Sequence, residues 1–263
     1  MIPKIKLTTT DIHTLKRKRG LLTVRDVWYY ADTIYTDADV VYYMQMEKPQ
    51  GDEWYDQYTI LIDLEKSKDE IFGAFNETCK NEIRSVTAKT GYTFSVLYKE
   101  LNETTLNEFI KVYNEFAAAK KIPPTENYRL YDYLHNGLLA ITKINDANNN
   151  TVVWHVYRVN GDKVFLIHSI SDIYKQTNAR VKNELGSANR FCHWNDMLYF
   201  KELGVKQYDW GGWYNGKDDT ELLGINKFKE KFGGTITPNY NCIAYITLKG
   251  KLFWFLKRLK NKA

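Results

Sequence analysis

Three consecutive strand-like segments in the second half of the chain place the strongest constraint on its fold. They cover residues 138–144, 151–159 and 163–171 and are rich in β-branched and aromatic side chains. Asp146–Asn150 separates the first two segments, and Asn160-Gly161-Asp162 separates the last two. An Asn-Gly pair between strands is a strong hairpin signal. The sequence therefore predicts an antiparallel meander in this region.

Helices are predicted on both sides of this meander. A helix over residues 104–120 precedes it. After it come a helix over 187–203, a strand over 205–210, a helix over 222–232 and two further strands. A meander whose strands then alternate with helices is typical of an α/β fold with a mixed, mostly antiparallel sheet flanked by helices.

The first hundred residues are predicted to form a separate α/β half. Strands are expected over residues 27–30, 40–44, 58–64 and 92–98, with one helix over 68–90. A chain of 263 residues with 44% hydrophobic side chains can bury two such cores. The expected division is residues 1–100, 101–248 and a tail over 249–263.

Charge and composition narrow the functional classes. The formal net charge of +5 is below that of a dedicated nucleic-acid binder and suits an anionic ligand such as a coenzyme, a nucleotide sugar or a phospholipid surface. The 3 cysteines form no CxxC pair and the 5 histidines lack ligand spacing, so no metal site is predicted. The N-terminus lacks an apolar leader, and no segment approaches the roughly 20 apolar residues of a membrane span, so a cytoplasmic location is expected.

A first candidate site lies at the predicted start of the helix over 187–203. Free backbone N–H groups and the helix dipole make such a start a site for anions. Gly186 permits close backbone approach, and Ser187 can cap the helix. An ordinary capped helix is the alternative interpretation. The predicted cofactor-binding residues are Arg180, Gly186, Ser187, Ala188 and Asn189.

The same helix carries a polar stripe on an otherwise apolar surface. Asn189, His193 and Asp196 are spaced four and three residues apart, and therefore share one face. Polar groups on a buried helix must be hydrogen-bonded or used by the function. The stripe is either a structural network or a surface that faces a coenzyme or an acceptor.

Two further segments complete the set of candidates. Asp209 ends the strand in Gln207–Trp213, where α/β sheets place ligands, and the paired glycines Gly211 and Gly212 let a substrate approach the backbone. The predicted substrate-binding residues are Gly211, Gly212 and Trp213. The segment Gly224–Gly234 reads as a basic amphipathic helix with a glycine C-cap.

Together these motifs resemble the acyl-CoA N-acyltransferase (GNAT) fold. "YDWGG" at 208–212 combined with "FKEKFGG" at 228–234 is similar to the Fem-type branch, the peptidoglycan-bridge aminoacyltransferases and their acyl-CoA-using relatives. "GSANRFCHWNDMLYFKELG" at 186–204 is similar to the coenzyme helix of relatives among surface-polysaccharide enzymes. The resemblance covers residues 100–247. The first hundred residues match more loosely, as the degenerate N-terminal half of a double GNAT-like arrangement.

The resemblance implies direct attack of an amine on a thioester or ester carbonyl, without a covalent enzyme intermediate. Such a reaction needs a base for the ammonium, donors for the oxyanion and a cation or acid for the leaving group. Lys229 matches the lysine of the Fem-type "FK" pair, which implies that it stabilises developing negative charge. Asp209 or His193 is the candidate base, with His168 in reserve because its strand borders the active centre in the family.

The identity of the donor stays open at this point. The usual GNAT pyrophosphate loop, Q/R-x-x-G-x-G/A, is not present as such, and the Arg180–Gly186 segment stands in its place. The resemblance therefore allows acyl-CoA or aminoacyl-tRNA. The long helical arm of some tRNA-using members is not found, which favours acyl-CoA, with acetyl as the expected group.

The C-terminal tail is basic and aromatic. Residues 249–263 contain six lysines and arginines and no acidic residue, with Leu252–Leu256 between them. This composition fits either an interfacial membrane contact or a terminal helix docked on the core. A membrane contact would allow a lipid-linked acceptor and a location at the inner face of the membrane.

Three functional hypotheses follow. The first is acyl transfer from acyl-CoA to an amino sugar of a bacterial surface-polysaccharide precursor. The second keeps the fold but uses aminoacyl-tRNA on a peptidoglycan precursor, and the basic residues Lys16–Arg19 and the basic C-terminal tail favour it weakly. The third is a non-catalytic binding module.

Overall fold

The computed structural model describes residues 14–29, 35–88 and 91–260. Within these residues the strands are β1 Thr14–Arg19, β2 Leu22–Trp28, β3 Val40–Met46, β4 Glu53–Asp63, β5 Thr93–Leu97, β6 Leu139–Asn145, β7 Thr151–Asn160, β8 Lys163–Ser171, β9 Gln207–Gly212 and β10 Thr235–Tyr245. The helices are α1 Lys68–Gly73, α2 Glu77–Ala88, α3 Glu103–Lys120, α4 Asn127–His135, α5 Ala179–Glu202, α6 Thr220–Glu230 and α7 Leu248–Lys260, with a 3-10 helix over Asp172–Lys175.

Contacts divide the described chain into two compact units. The first contains residues 61–211 and 219–235, and the second contains residues 14–29, 35–60, 212–218 and 236–260. This division differs from the expected boundary near residue 100, because residues 61–100 pack within the first unit. The relation between residues 1–100 and 101–248 as two GNAT-like halves stays a prediction.

The sheet of the first unit has the strand order β9-β8-β7-β6-β5. Strands β6 to β8 are antiparallel neighbours, as the turn signals predict. Strand β5 also pairs antiparallel with β6, which was not predicted, and β9 joins β8 in parallel. Strand β7 is buried along almost its whole length because helices cover both of its faces. His155 and Tyr157 of β7 contact α5, whereas Trp154 contacts Phe109 of α3 and Arg158 lies over Tyr133 of α4.

Helix α5 is longer than predicted. Residues 179–186 were expected in a loop, but the helix begins at Ala179, because the Asn178 side chain caps it by accepting from the N–H groups of Arg180 and Val181. Its buried face packs on β6 and β7 through Leu185, Ala188 and Cys192. This correction moves the helix start two turns away from Ser187.

Other differences from the prediction are local. The single helix expected over 68–90 is two helices, and Asn76 caps the second by accepting from the N–H of Cys79. Helix α4 was not predicted. The two strands expected at the C-terminal end are one long strand, β10.

The second unit has the strand order β1-β2-β3-β10-β4. The basic residues of β1 are largely paired: Lys16 lies 3.0 Å from Asp37, and Arg17 forms a buried ion pair with Asp26. Helix α7 follows β10. Across the described ranges, no helix has both the length and the apolar character needed to cross a membrane.

Candidate functional site

Strands β8 and β9 pair over only a short stretch. Their parallel pairing covers three residue pairs, ending at Phe165 and Asp209. Gly211 then adopts a φ of +70°, and a Cβ atom there would lie 2.7 Å from the carbonyl oxygen of Leu166. A side chain is therefore excluded at this point, and β9 passes close to β8 only because residue 211 is glycine.

A cavity of about 670 Å³ opens beside these strands and lies entirely within the first unit. Because His193 of α5 and Lys229 of α6 both line it, we call it the α5–α6 cavity. Its lining consists of Phe116, Ala119 and Lys120 from α3, Leu166, Ser169, Ile170 and Ser171 from β8, Ile173, Tyr174 and Gln176 from the following segment, Lys182, Asn189 and His193 from α5, Trp210 from β9, and Glu221, Gly224, Ile225, Phe228 and Lys229 from α6.

His193 is completely buried at the wall of this cavity. Its Nδ1 lies 2.9 Å from the Tyr208 hydroxyl, and its ring stacks on His155 with 3.9 Å between centroids. Burial, together with nearby positive charge, holds the pKa of His193 well below its usual value of 6.5, so the ring is neutral. Among the described residues, its Nε2 has no hydrogen-bond partner.

A chain of hydrogen bonds fixes the tautomer of His193. The Tyr157 hydroxyl donates to the Asp196 carboxylate at 2.5 Å, and therefore accepts from the Tyr208 hydroxyl at 2.8 Å. The Tyr208 oxygen is left to accept from His193 Nδ1. Burial raises the pKa of both tyrosines well above 10, so both hydroxyls keep their protons. The proton of His193 is thus on Nδ1, and the lone pair is on Nε2.

Two members of the polar stripe predicted on α5, Asn189 and Asp196, have their partners on β7. His155 Nδ1 lies 2.6 Å from Asp196, and its Nε2 lies 2.8 Å from Asn189. His155, Cys192 and Asp196 bring three potential metal-ligand atoms within 4.8 Å of one another. However, burial raises the pKa of the Cys192 thiol well above 9, and both nitrogens of His155 already have partners. We therefore describe this group as part of the hydrogen-bond network.

Lys229 is the buried cation of the cavity, with 9% of its surface exposed. Burial lowers its pKa to about 8, and the charge of Asp209 opposes that shift. Asp209 is 1% exposed, and its Oδ1 accepts from the N–H of Gly211 at 2.8 Å. Asp209 thus stabilises both the turn at Gly211 and the charge of Lys229.

The structure brings only some of the predicted site residues together. Asn189, His193 and Lys229 line the α5–α6 cavity. His168 lies on the α3 side of the sheet, where Thr125 Oγ1 is 2.9 Å from its Nε2. Trp213 and Gly212 belong to the second unit, where the N–H of Trp213 donates to the Tyr58 carbonyl.

The predicted anion site at the helix start is not formed as expected. Gly186, Ser187 and Ala188 lie inside α5, where backbone N–H groups are used by the helix, and the Ser187 hydroxyl donates to the Asn183 carbonyl. Arg180 lies in the first turn with 88% of its side chain exposed, 3.6 Å from Glu184. Ser187 therefore does not lie at a helix start, and the assignment of Arg180, Gly186, Ser187 and Ala188 to cofactor binding stays a prediction.

Sequence reasoning missed His155, Tyr157 and Tyr208. His155 and Tyr157 are two residues apart in a strand, and this spacing places both on one face. Two polar side chains on one buried face are a usable signal, but their partners on α5 and β9 depend on tertiary structure.

Solved structures share this fold, whereas no protein-family model and no curated protein sequence matches the chain. FemX is similar with a TM-score of 0.63 and 11% identity, covering 92% of this chain and 85% of FemX. The C-terminal domain of a putative lysylphosphatidylglycerol synthetase from Agrobacterium fabrum has a TM-score of 0.53 and 11% identity, covering 91% of this chain and 82% of that domain. The chain therefore shares the fold of FemX, a mixed, mostly antiparallel sheet flanked by helices, which confirms the predicted fold class.

Proposed function

We propose that this protein is an N-acyltransferase that moves an acyl group from acyl-CoA to an amine by direct attack. The observation that carries the proposal is the α5–α6 cavity, in which a neutral histidine of fixed tautomer and a buried lysine line the same space. Its volume of about 670 Å³ lies within the usual range of small-molecule sites. No metal takes part in the proposed reaction.

His193 is the proposed general base. The amine nitrogen attacks the thioester carbonyl carbon, and its proton passes to His193 Nε2. The C–S bond then breaks, and the sulfur leaves with the electron pair as a thiolate. Asp209 is less suited to this role because its Oδ1 is engaged by Gly211 and it does not line the cavity.

Lys229 is the proposed stabiliser of negative charge on the carbonyl oxygen and the departing sulfur. A buried cation acts strongly on charge that develops in a site shielded from water. Its pKa of about 8 keeps it mainly protonated at neutral pH. We expect turnover to fall above pH 8 as this proton is lost.

The proposed acceptor is an amino sugar of a bacterial surface-polysaccharide precursor, and the proposed group is acetyl. The support is the similarity of residues 186–204 to the corresponding helix of enzymes that act on such polymers. The proposed location is the cytoplasm, including the inner face of the membrane.

An aminoacyl-tRNA donor is the second candidate. The name of one similar structure describes the synthesis of lysylphosphatidylglycerol, which favours aminoacyl transfer. Among the basic residues Lys16–Arg19, two are less available to nucleic acid than the sequence implies. Lys16 pairs with Asp37, and Arg17 is buried against Asp26. Acyl-CoA is therefore placed first.

Calorimetric titration with acetyl-CoA, with CoA as the reference, tests the donor. Micromolar binding and acetylation of an amino sugar, detected as released thiol, are expected. Lys229→Met should lower turnover by about 10²–10³-fold. Lys227→Met is the matched control, because Lys227 is an exposed lysine of the same helix, and it should retain turnover.

The remaining outcomes separate the alternatives. Binding of tRNA without binding of acetyl-CoA at millimolar concentration would select the aminoacyl donor. Acetyl-CoA binding without transfer to any amine would support the non-catalytic interpretation. Equal turnover of Lys229→Met and Lys227→Met would remove Lys229 from the mechanism.

A further inference from the structure

Helix α7 exposes a stripe of large apolar side chains. Leu248, Leu252, Phe255, Leu256 and Leu259 are 87%, 58%, 53%, 55% and 51% exposed. We propose that this apolar stripe binds the surface of an anionic phospholipid membrane. The proposal concerns the second unit and is independent of the acyl-transfer chemistry proposed for the first.

The spacing of the stripe is that of an interfacial helix. At 100° per residue, its five members fall within an arc of about 100°, the width of one apolar face. Lys251 and Arg258 follow one border of the stripe, and Lys249 lies at the other. Helix α7 contains no acidic residue. Basic side chains beside an apolar face can reach phosphate groups while the apolar side chains enter the bilayer.

The opposite face of α7 is fixed to the second unit at two acidic residues. At the first, the Thr247 hydroxyl donates to Asp39 at 2.6 Å, and a Cβ atom at Gly250 would lie 2.1 Å from the Asp39 carbonyl oxygen. At the second, Trp254 Nε1 donates to Glu53 at 2.7 Å. These contacts hold the helix close to the core and orient the stripe outward.

Charge and neighbouring aromatics favour a lipid surface over another protein as the occupant. The basic borders of the stripe complement anionic headgroups. Trp54 and Tyr55 of β4 follow Glu53 directly and are 56% and 54% exposed, and tryptophan and tyrosine are enriched at membrane interfaces. Tyr55 and Lys257 line one shallow depression of the surface, which links these aromatics to α7.

Co-sedimentation with vesicles tests the proposal, using phosphatidylcholine alone or mixed with phosphatidylglycerol. The full chain should bind the mixed vesicles and lose this binding at high salt. The double variant Leu252→Asn/Phe255→Asn should weaken binding about tenfold or more, because both side chains leave the bilayer. Lys251→Gln/Arg258→Gln should remove the preference for phosphatidylglycerol.

A matched control is Ile122→Asn/Leu222→Asn, which alters two exposed apolar residues of the first unit, and it should bind vesicles like the unmodified chain. Acetyl-CoA titration of the same variants distinguishes this proposal from the proposed function, since it should not respond to changes in α7. Equal vesicle binding by the Leu252/Phe255 variant and the control would overturn the proposal. The proposal would also be overturned if the unmodified chain bound no vesicles but self-associated, and if Leu252→Asn/Phe255→Asn abolished that self-association. The partner of the stripe would then be a second copy of the chain.

Discussion

Two histidines of the first unit, His193 and His168, both have a lowered pKa but differ in exposure and in their surroundings: His193 is completely buried, whereas His168 is partly exposed. Burial lowers the pKa of both, to about 4 for His168 and well below 6.5 for His193. His168 pairs with Val156 across β7 and β8, and its ring lies 4.1 Å from that of Tyr113 on the α3 side. His193 is on the α5 side, where it lines the α5–α6 cavity.

Hydrogen-bond direction, rather than pKa, separates these two residues. Nε2 of His168 already meets the Thr125 hydroxyl. In contrast, the chain from Asp196 through two tyrosines ends on Nδ1 of His193 and leaves Nε2 for a ligand. Both His168 and His193 have a lowered pKa, whereas a fixed tautomer at a cavity wall is a feature expected of a general base.

Replacing each of the two histidines by glutamine tests this difference and gives the largest expected effect. His193→Gln should lower kcat by about 10²–10⁴-fold, the usual contribution of a general base. His168→Gln should leave kcat within about twofold, because this residue does not line the cavity. Steady-state kinetics of both variants at pH 7 are the measurement, and acetyl-CoA titration shows whether each variant keeps its binding site. Similar losses of kcat in the two variants would contradict the assignment.

Much of the fold could be predicted because its signals are local. Asn160-Gly161-Asp162 fixes a hairpin, and Gly233-Gly234 predicts the end of the helix that carries Phe228, although α6 ends at Glu230, before Phe232. These features require only a few consecutive residues, and the structure has the corresponding elements. The resemblance of residues 100–247 to a known fold rests on the same local motifs.

The start of α5 could not be found in this way. Gly186-Ser187 reads as a helix start, but Asn178 supplies the actual cap eight residues before Gly186. Gly186 is tolerated inside the helix, where the Arg190 guanidinium donates to its carbonyl. A glycine packed against an arginine looks the same in sequence as a glycine at a helix end.

The site was only partly predictable for a related reason. The stripe of Asn189, His193 and Asp196 follows from helical periodicity, and Lys229 was implied by the family resemblance. The roles of Tyr157 and Tyr208 depend on the pairing of two separate strands with α5, and no local pattern encodes this pairing.

A smaller effect is expected when the chain of hydrogen bonds is broken. Tyr208→Phe removes the acceptor of His193 Nδ1–H and frees the ring to change tautomer. We expect kcat to fall about tenfold with acetyl-CoA affinity retained, and the ¹⁵N chemical shifts of His193 to show a mixture of tautomers. Tyr113→Phe is the matched control beside His168 and should change neither measurement. An unchanged tautomer in Tyr208→Phe would mean that the hydrogen-bond chain does not orient His193.

Substitution of His168 is expected to have the smallest effect on activity and the clearest effect on stability. The pKa of His168 is about 4 in the folded protein and near 6.5 when unfolded, so the unfolded state binds a proton that the folded state excludes. The stability that His168 contributes is therefore complete above pH 6.5 and declines as the pH falls from 6.5 toward 4. By pH 5 the loss is about 2 kcal/mol.

Urea unfolding at pH 7 and pH 5 measures this contribution. Glutamine at position 168 cannot take up the proton that histidine binds on unfolding. Between pH 7 and pH 5, the free energy of unfolding of the unmodified protein should therefore fall by about 2 kcal/mol more than that of His168→Gln. Thr125→Val keeps the titrating ring but removes its hydrogen bond, and should be less stable at both pH values with an unchanged pH dependence. If the free energy of unfolding depended on pH equally in His168→Gln and in the unmodified protein, His168 would have the same pKa in the folded and unfolded states. The two histidines would then no longer share a lowered pKa.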